Sequence, residues 1–231
     1  MSVHSPLAHL FPRASHSHTT RGHTLGAPRA YDAFVNIFFL GRRRATFQAL
    51  ARAAGVKPGQ RVLDVGCGTG YFARLLADMV GPDGLSIGVD ASQEMIDYAS
   101  RRPGRPEQCQ FQLGAAESLA FPSEHFDVVV SSLFMHHLPE DLRGHAVSEM
   151  RRVLRPSGTL LIAEAQVPRA PVLRALARLH GYDRMAQAVP ELERLISDNG
   201  FEQVRCGEAP PWLKYVCARA SAPAEVAGLA S

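Results

Sequence analysis

A chain of 231 residues, 46% of them apolar, can bury the core of one ordinary domain. Its net charge of +3 comes from basic and acidic residues mixed along the chain, which offers no field for a nucleic-acid backbone. Four cysteines (Cys67, Cys109, Cys206 and Cys217) lack Cys-x-x-Cys spacing, which excludes a zinc site or disulfide framework. With neither a signal peptide nor a membrane-length apolar run, a reducing cytoplasm is the expected home.

Residues 1–28 are rich in His, Ser, Thr, Pro and Gly without periodicity, and are expected to form a disordered tail. His16, His18 and His23 fall in it with nothing to fix a coordination geometry, so no metal site is assigned. Residues 29–54 read as helical. Tyr31 to Leu40 is strongly apolar and is followed by Gly41 and then Arg42, Arg43 and Arg44, with Phe34, Ile37 and Phe38 expected to pack on the core. That stretch is too short to cross a bilayer, although it could attach to a surface beside the arginines. These arginines, with Arg101-Arg102 and Arg151-Arg152, are read as solvated helix faces.

The most informative stretch comes next: Arg61-Val62-Leu63-Asp64-Val65-Gly66-Cys67-Gly68-Thr69-Gly70. Val62, Leu63 and Val65 read as a short buried strand. Gly66, Gly68 and Gly70 let the backbone turn and approach a ligand, with a helix opening behind them. A dinucleotide fingerprint would need a glycine where Tyr71 stands, and a P-loop would need a following lysine, so neither fits. Asp64 ahead of the glycines suits a cationic ligand better than a pyrophosphate.

Leu85 to Asp90 reads as a second strand ending in a carboxylate about twenty residues past the loop, where an acid can accept hydrogen bonds from vicinal ribose hydroxyls. Capping of a helix beginning near Ser92 is its structural alternative. Phe111 to Phe121, then Pro122, forms a third-strand segment, and Phe126 to Ser132 is a β-branched run typical of a strand buried on both faces. His136 and His137 follow, then a helix from Pro139 to Leu154, a turn at Arg155 to Gly158, and a fifth strand from Thr159 to Glu164. Further on, a helix is expected at about Pro171 to His180, in a stretch that also holds Tyr182 and Met185. A last helix runs from Glu191 to Asn199, and strands close the chain at Phe201 to Cys206 and Trp212 to Ala218. Residues 221–231 are expected to be disordered. Strand and helix alternate as a doubly wound sheet requires.

The glycine segment resembles motif I of the class I S-adenosylmethionine-dependent methyltransferases, of the ubiquinone/menaquinone-methyltransferase-like kind. Phe111 to Phe121 is similar to that family's Gly-Asp-Ala-Glu-x-Leu-Pro-Phe segment, with Ala115 in place of the aspartate, and Arg155-Pro156-Ser157-Gly158 to its Leu-Arg-Pro-Gly-Gly connector. The resemblance implies a Rossmann-like α/β fold over residues 55–220, with a mostly parallel seven-stranded sheet and an antiparallel last strand. Residues 29–54 would then be a helical lid. It implies S-adenosylmethionine as cofactor, leaving as S-adenosylhomocysteine, and a small, apolar or aromatic methyl acceptor. Asp90 would hold the ribose; Ala116 through its backbone, Glu117 and Ala91 would meet the adenine; Tyr31, from a Tyr-Asp pair, would meet the sulfonium or carboxylate end, and Ser131 completes the cofactor set. His136 or His137 would be the general base if one is used. The competing expectations are a cofactor-binding protein without transfer activity and a cyclase or decarboxylase on the same fold. Oligomeric state is left open.

Overall fold

The computed structural model describes residues 20–22, 27–165 and 188–221. The helix expected at Pro171 to His180, with His180, Tyr182 and Met185, lies outside the described residues, as do His16, His18, His23 and nearly all of both tails.

Seven strands form one sheet in the order β3-β2-β1-β4-β5-β7-β6. They are β1 (Arg61–Val65), β2 (Leu85–Asp90), β3 (Cys109–Leu113), β4 (Phe126–Ser132), β5 (Leu154–Ala165), β6 (Phe201–Ala209) and β7 (Leu213–Ala220). The first five pair in parallel. β7 inserts between β5 and β6 and runs antiparallel to both, the antiparallel closing strand expected from the sequence. Among the described residues the α-helices are α1 (Pro28–Phe38), α2 (Arg43–Ala53), α3 (Tyr71–Val80), α4 (Gln93–Arg101), α5 (Glu140–Val153) and α6 (Ala188–Asp198).

The continuous β-branched run of β4 has its physical reason here: both faces of the sheet are covered. Leu63, Val65 and Val129 pack with Val147 and Met150 of α5 and Ile196 of α6 on one face. Val62, Val128 and Val130 pack with Phe47 and Leu50 of α2 and Phe72 and Leu76 of α3 on the other. The chain changes sides at β1, between β2 and β4, which opens a crevice beyond the carboxyl ends of β1 and β4.

Three expectations need correcting. Arg155 to Gly158 is not a separate turn: β5 starts at Leu154, and the extra residues are taken up as an irregularity opposite Phe126 and Val128, with Ser157 at φ 60°. In α1 and the residue that follows it, the apolar side chains buried in the core are Val35 and Phe39. Phe34 and Phe38 pack only partly, and Ile37 is 73% exposed. The arginine pairs are also not uniformly solvated. Arg43 is buried against Asp32, Arg102 shares that carboxylate, and Arg152 donates to Glu149 and to the carbonyls of Phe121 and Leu119 (2.8 Å each). A guanidinium has five donors, and these three arginines spend them tying loops to helices.

Candidate active site

Consecutive residues build the first wall of the crevice. Past Val65 the N–H groups of Gly66 and Cys67 both donate to the Val89 carbonyl (2.8 and 3.0 Å), which binds the loop to β2. The Gly68 N–H donates to Asp90 Oδ2 (2.8 Å) and the Ser92 N–H to Asp90 Oδ1 (2.9 Å). Asp90 therefore spans the loop and the start of α4, so the ligand and capping readings of this acid are compatible. Each carboxylate oxygen keeps a second acceptor direction. Burial raises the Asp90 pKa above its ordinary value, while the two backbone donors pull it back.

The glycines divide their work. A Cβ on Gly66 would fall 2.2 Å from Cγ of Phe134, so only bare backbone admits that ring. One on Gly68 would meet only Tyr31, at 3.8 Å, across open space. Gly70 does not line the crevice. Its φ is 74°, and a Cβ there would lie 2.5 Å from the Phe111 ring and 2.9 Å from Ala99, so it lets α3 start tight against β3 and α4.

The crevice is lined by Gly66, Gly68, Asp90, Ala91, Ala116 and Glu117 on one side and by Tyr31, Leu133, Phe134, His137 and Leu138 on the other. Thr20 and Gly22 reach its rim, where the Thr20 hydroxyl bonds Glu117 and Arg21 pairs with Asp141. Burial pushes the Tyr31 phenol up to about 12, with Arg43 opposing, so Tyr31 is a neutral hydroxyl at physiological pH and not a base.

Besides Gly70, the expected cofactor-binding residues Asp64 and Ser131 stay out of the wall. Asp64 alternates away from Val65, as neighbouring strand residues must, and is buried on the other face of the sheet. Burial raises its pKa to about 8. The Ala73 N–H exerts some downward pull, but neither carboxylate oxygen makes a hydrogen bond of ordinary geometry. A cation-attracting role does not suit an acid held mostly protonated. Ser131 is fully buried between Val65 and Ile162, one residue short of the end of β4, and its hydroxyl has no hydrogen-bond partner.

The second wall is assembled from distant parts of the chain. Leu133 leaves β4 with φ 56°, held by its N–H to the Ala163 carbonyl (2.8 Å), and this bend carries Phe134 over the glycine loop. A one-turn 3₁₀ helix, Met135–His137, follows. Glu164, fully buried near the end of β5, receives it: Oε1 accepts the Met135 N–H (2.8 Å) and Oε2 pairs with His136 Nδ1 (2.7 Å). The His136 and His137 rings lie 4.0 Å apart. His136 is not in the crevice wall; His137 is.

A family model described as "Methyltransferase domain" matches residues 62–158. A demethylmenaquinone methyltransferase of Staphylococcus aureus is 30% identical over 200 residues, covering 77% of this chain and 82% of the relative. The chain belongs to the class I S-adenosylmethionine-dependent methyltransferases. Solved structures agree on the fold. A SAM dependent methyltransferase from Aquifex aeolicus aligns with TM-score 0.62 at 22% identity, over 75% of this chain and 89% of that one. The [4+2]-cyclase SpnF aligns with TM-score 0.63 at 20% identity, over 78% and 81%. Haemonchus contortus phosphoethanolamine N-methyltransferase 2, solved with S-adenosyl-L-methionine, aligns with TM-score 0.62 at 18%, over 76% and 52%.

The residues of this methyltransferase fit its cofactor. Glu117 Oε2 is buried in the crevice wall without a partner, Gly68 presents bare backbone to the open space, and Asp90 is fixed from behind with acceptor capacity to spare. Sequence reasoning missed Glu164 and Phe134. The available signal for Glu164 was a lone acid at the carboxyl end of an apolar strand, the end at which ligands bind. It also missed Asp32, which accepts from Arg43 (2.9 Å) and Thr69 of the glycine loop (2.7 Å) through Oδ1, and from Arg102 (2.9 Å) through Oδ2. That network fastens α1, and Tyr31 with it, to the cofactor loop.

Proposed function

We propose that this methyltransferase delivers its methyl group to a small lipophilic aromatic acceptor of the phenol or quinol class, with His136 as the base and Glu164 as its orienting partner. The observation that carries this reading is the 2.7 Å contact between His136 Nδ1 and the fully buried Glu164. With Glu164 as a carboxylate, Nδ1 carries the proton and Nε2 is the nitrogen with the lone pair. The contact also fixes the ring so that it need not reorient during reaction.

Bound S-adenosylmethionine supplies a methyl carbon already activated by its sulfonium. The protein must hold the cofactor, aim the acceptor and take a proton. Asp90 would hold the ribose, and Ala91, the Ala116 backbone and Glu117 would meet the adenine; Tyr31 stands opposite Gly68. Leu133, Phe134 and Leu138 form the apolar wall that excludes water and seats a flat acceptor. His137 stands in that wall with its ring 4.0 Å from that of His136, and relays the acceptor's proton to it. The name of the relative, demethylmenaquinone methyltransferase, supports an acceptor of this chemistry.

Incubation with labelled S-adenosylmethionine and a series of hydroxylated naphthoquinols, phenols and amines tests this. Label is expected in the hydroxylated aromatics, with transfer reduced about a hundredfold in His136→Gln at unchanged cofactor affinity. Transfer only to amines, or full turnover in the double variant His136→Gln/His137→Gln, would remove the base from the account.

A further inference from the structure

Helix α1 has two faces. Its inner face is fixed at several points: Tyr31 in the crevice wall, Asp32 in the network with Arg43, Thr69 and Arg102, Val35 and Phe39 in the core, and the Phe38 carbonyl accepting from Trp212 Nε1 (2.9 Å). Its outer face carries Ala30, Ala33 and Ile37 at helical spacing and runs on to Leu40, all exposed. Ile37 is 73% exposed and Leu40 66%. Among the described residues just one other large hydrophobic side chain, Leu113, is exposed, and only to 39%. Exposed aliphatics are thus concentrated at one tip of the molecule.

The exposed charges of that stretch of chain have one sign. From Pro28 to Ala45 the acidic residues number one, Asp32, and it is buried and paired with arginines. The exposed charges of the segment are Arg29, Arg42 and Arg44, two of them directly after Leu40. Leu40 itself is held at φ 50°, where the chain turns out of α1 toward α2. Apolar side chains projecting from a tight bend, with only cations among the exposed charges of the same segment, match a bilayer with anionic headgroups: the aliphatics enter the acyl boundary and the guanidiniums stay at the phosphates.

We infer that the outer face of α1 and the bend after it, centred on Ile37, Leu40, Arg42 and Arg44, is a docking surface for an anionic membrane. The inner face of the same helix walls the crevice, so docking brings the active site to the lipid surface. This surface stands apart from the identity of the acceptor.

Flotation of the full chain with vesicles of phosphatidylcholine, with and without phosphatidylglycerol, tests the inference. The wild type is expected to float with the anionic vesicles and to be released by high salt. Ile37→Ser/Leu40→Ser is expected to lower partitioning by at least about tenfold. Arg42→Gln/Arg44→Gln should lower it by about fivefold or more, for the anionic vesicles only. Affinity for S-adenosylhomocysteine, measured on the same samples, should be unchanged and shows that the variants fold. No flotation of the wild type, or flotation equal in all three proteins, overturns the inference. So does a dimer in sedimentation velocity that Ile37→Ser/Leu40→Ser dissociates, since the face would then belong to a second copy.

Discussion

The two walls of the crevice are built by opposite strategies. The wall proposed to hold the adenosyl moiety comes from short runs of chain: a glycine loop, an acid at the end of the next strand and the residues just after it, joined by backbone hydrogen bonds such as Gly68 N–H to Asp90. The acceptor wall comes from α1, the bend after β4 and the end of β5, joined by side chains nearly thirty positions apart or more, as in His136 with Glu164. Backbone geometry repeats wherever the motif recurs. Side-chain pairing of this kind depends on residues far apart in the chain and not on the glycine motif, so the second wall can vary without disturbing the first.

Gly70→Ala breaks the first wall most severely. A left-handed φ costs about 1–2 kcal/mol for a residue with a Cβ, and overpacking against Phe111 and Ala99 adds about 1–3 kcal/mol. A loss of about 2–5 kcal/mol in urea unfolding is expected; a loss below about 0.5 kcal/mol would mean that α3 and β3 are not packed as described. Glu164→Gln acts on the other wall. It keeps the volume but weakens the hold on His136, and is expected to lower kcat by about 10–100-fold while S-adenosylhomocysteine binds within about twofold of the wild type. Equal losses in both quantities would show that the walls are not separable.

The smallest effect concerns Asp64, buried behind the first wall. Its pKa is about 8 in the folded protein against an ordinary 3.8. Between those values the folded chain holds a proton that the unfolded chain has released, so stability is highest below the lower value and falls as pH rises through the upper one. A decline on the order of 1–3 kcal/mol between about pH 5 and pH 8 is expected, and Asp64→Asn should remove most of that slope. A slope of the opposite sign in the wild type would mean that Asp64 is ionised and paired.

What could be read from the sequence follows the same division. β1, β2 and β4 were legible because each is marked by a local pattern, a buried run or a terminal acid, while the antiparallel direction of the last strand came with the family resemblance. Asp90 was legible as that terminal acid, whereas Ala91, Ala116 and Glu117 came with the family resemblance; all four line the crevice. Asp64 misled because its place beside the glycines suggested proximity to the ligand, whereas strand alternation turns it to the far face. Glu164 and Asp32 were hidden because their partners are set by tertiary packing alone. Ile37 was misplaced because an apolar residue on a helix reads as core, and nothing local reveals that its face is left outward.

The most direct measurement is a calorimetric titration of S-adenosylhomocysteine into the wild type and Asp90→Ala, with NAD as the control ligand. The account expects one site per chain, no heat with NAD, and a loss of about 1.5–3 kcal/mol in the variant, since hydrogen bonds to a charged acceptor are removed. An unchanged affinity in Asp90→Ala, or NAD binding as tightly as S-adenosylhomocysteine, would contradict the claim that this loop and this acid grip an adenosyl sulfonium.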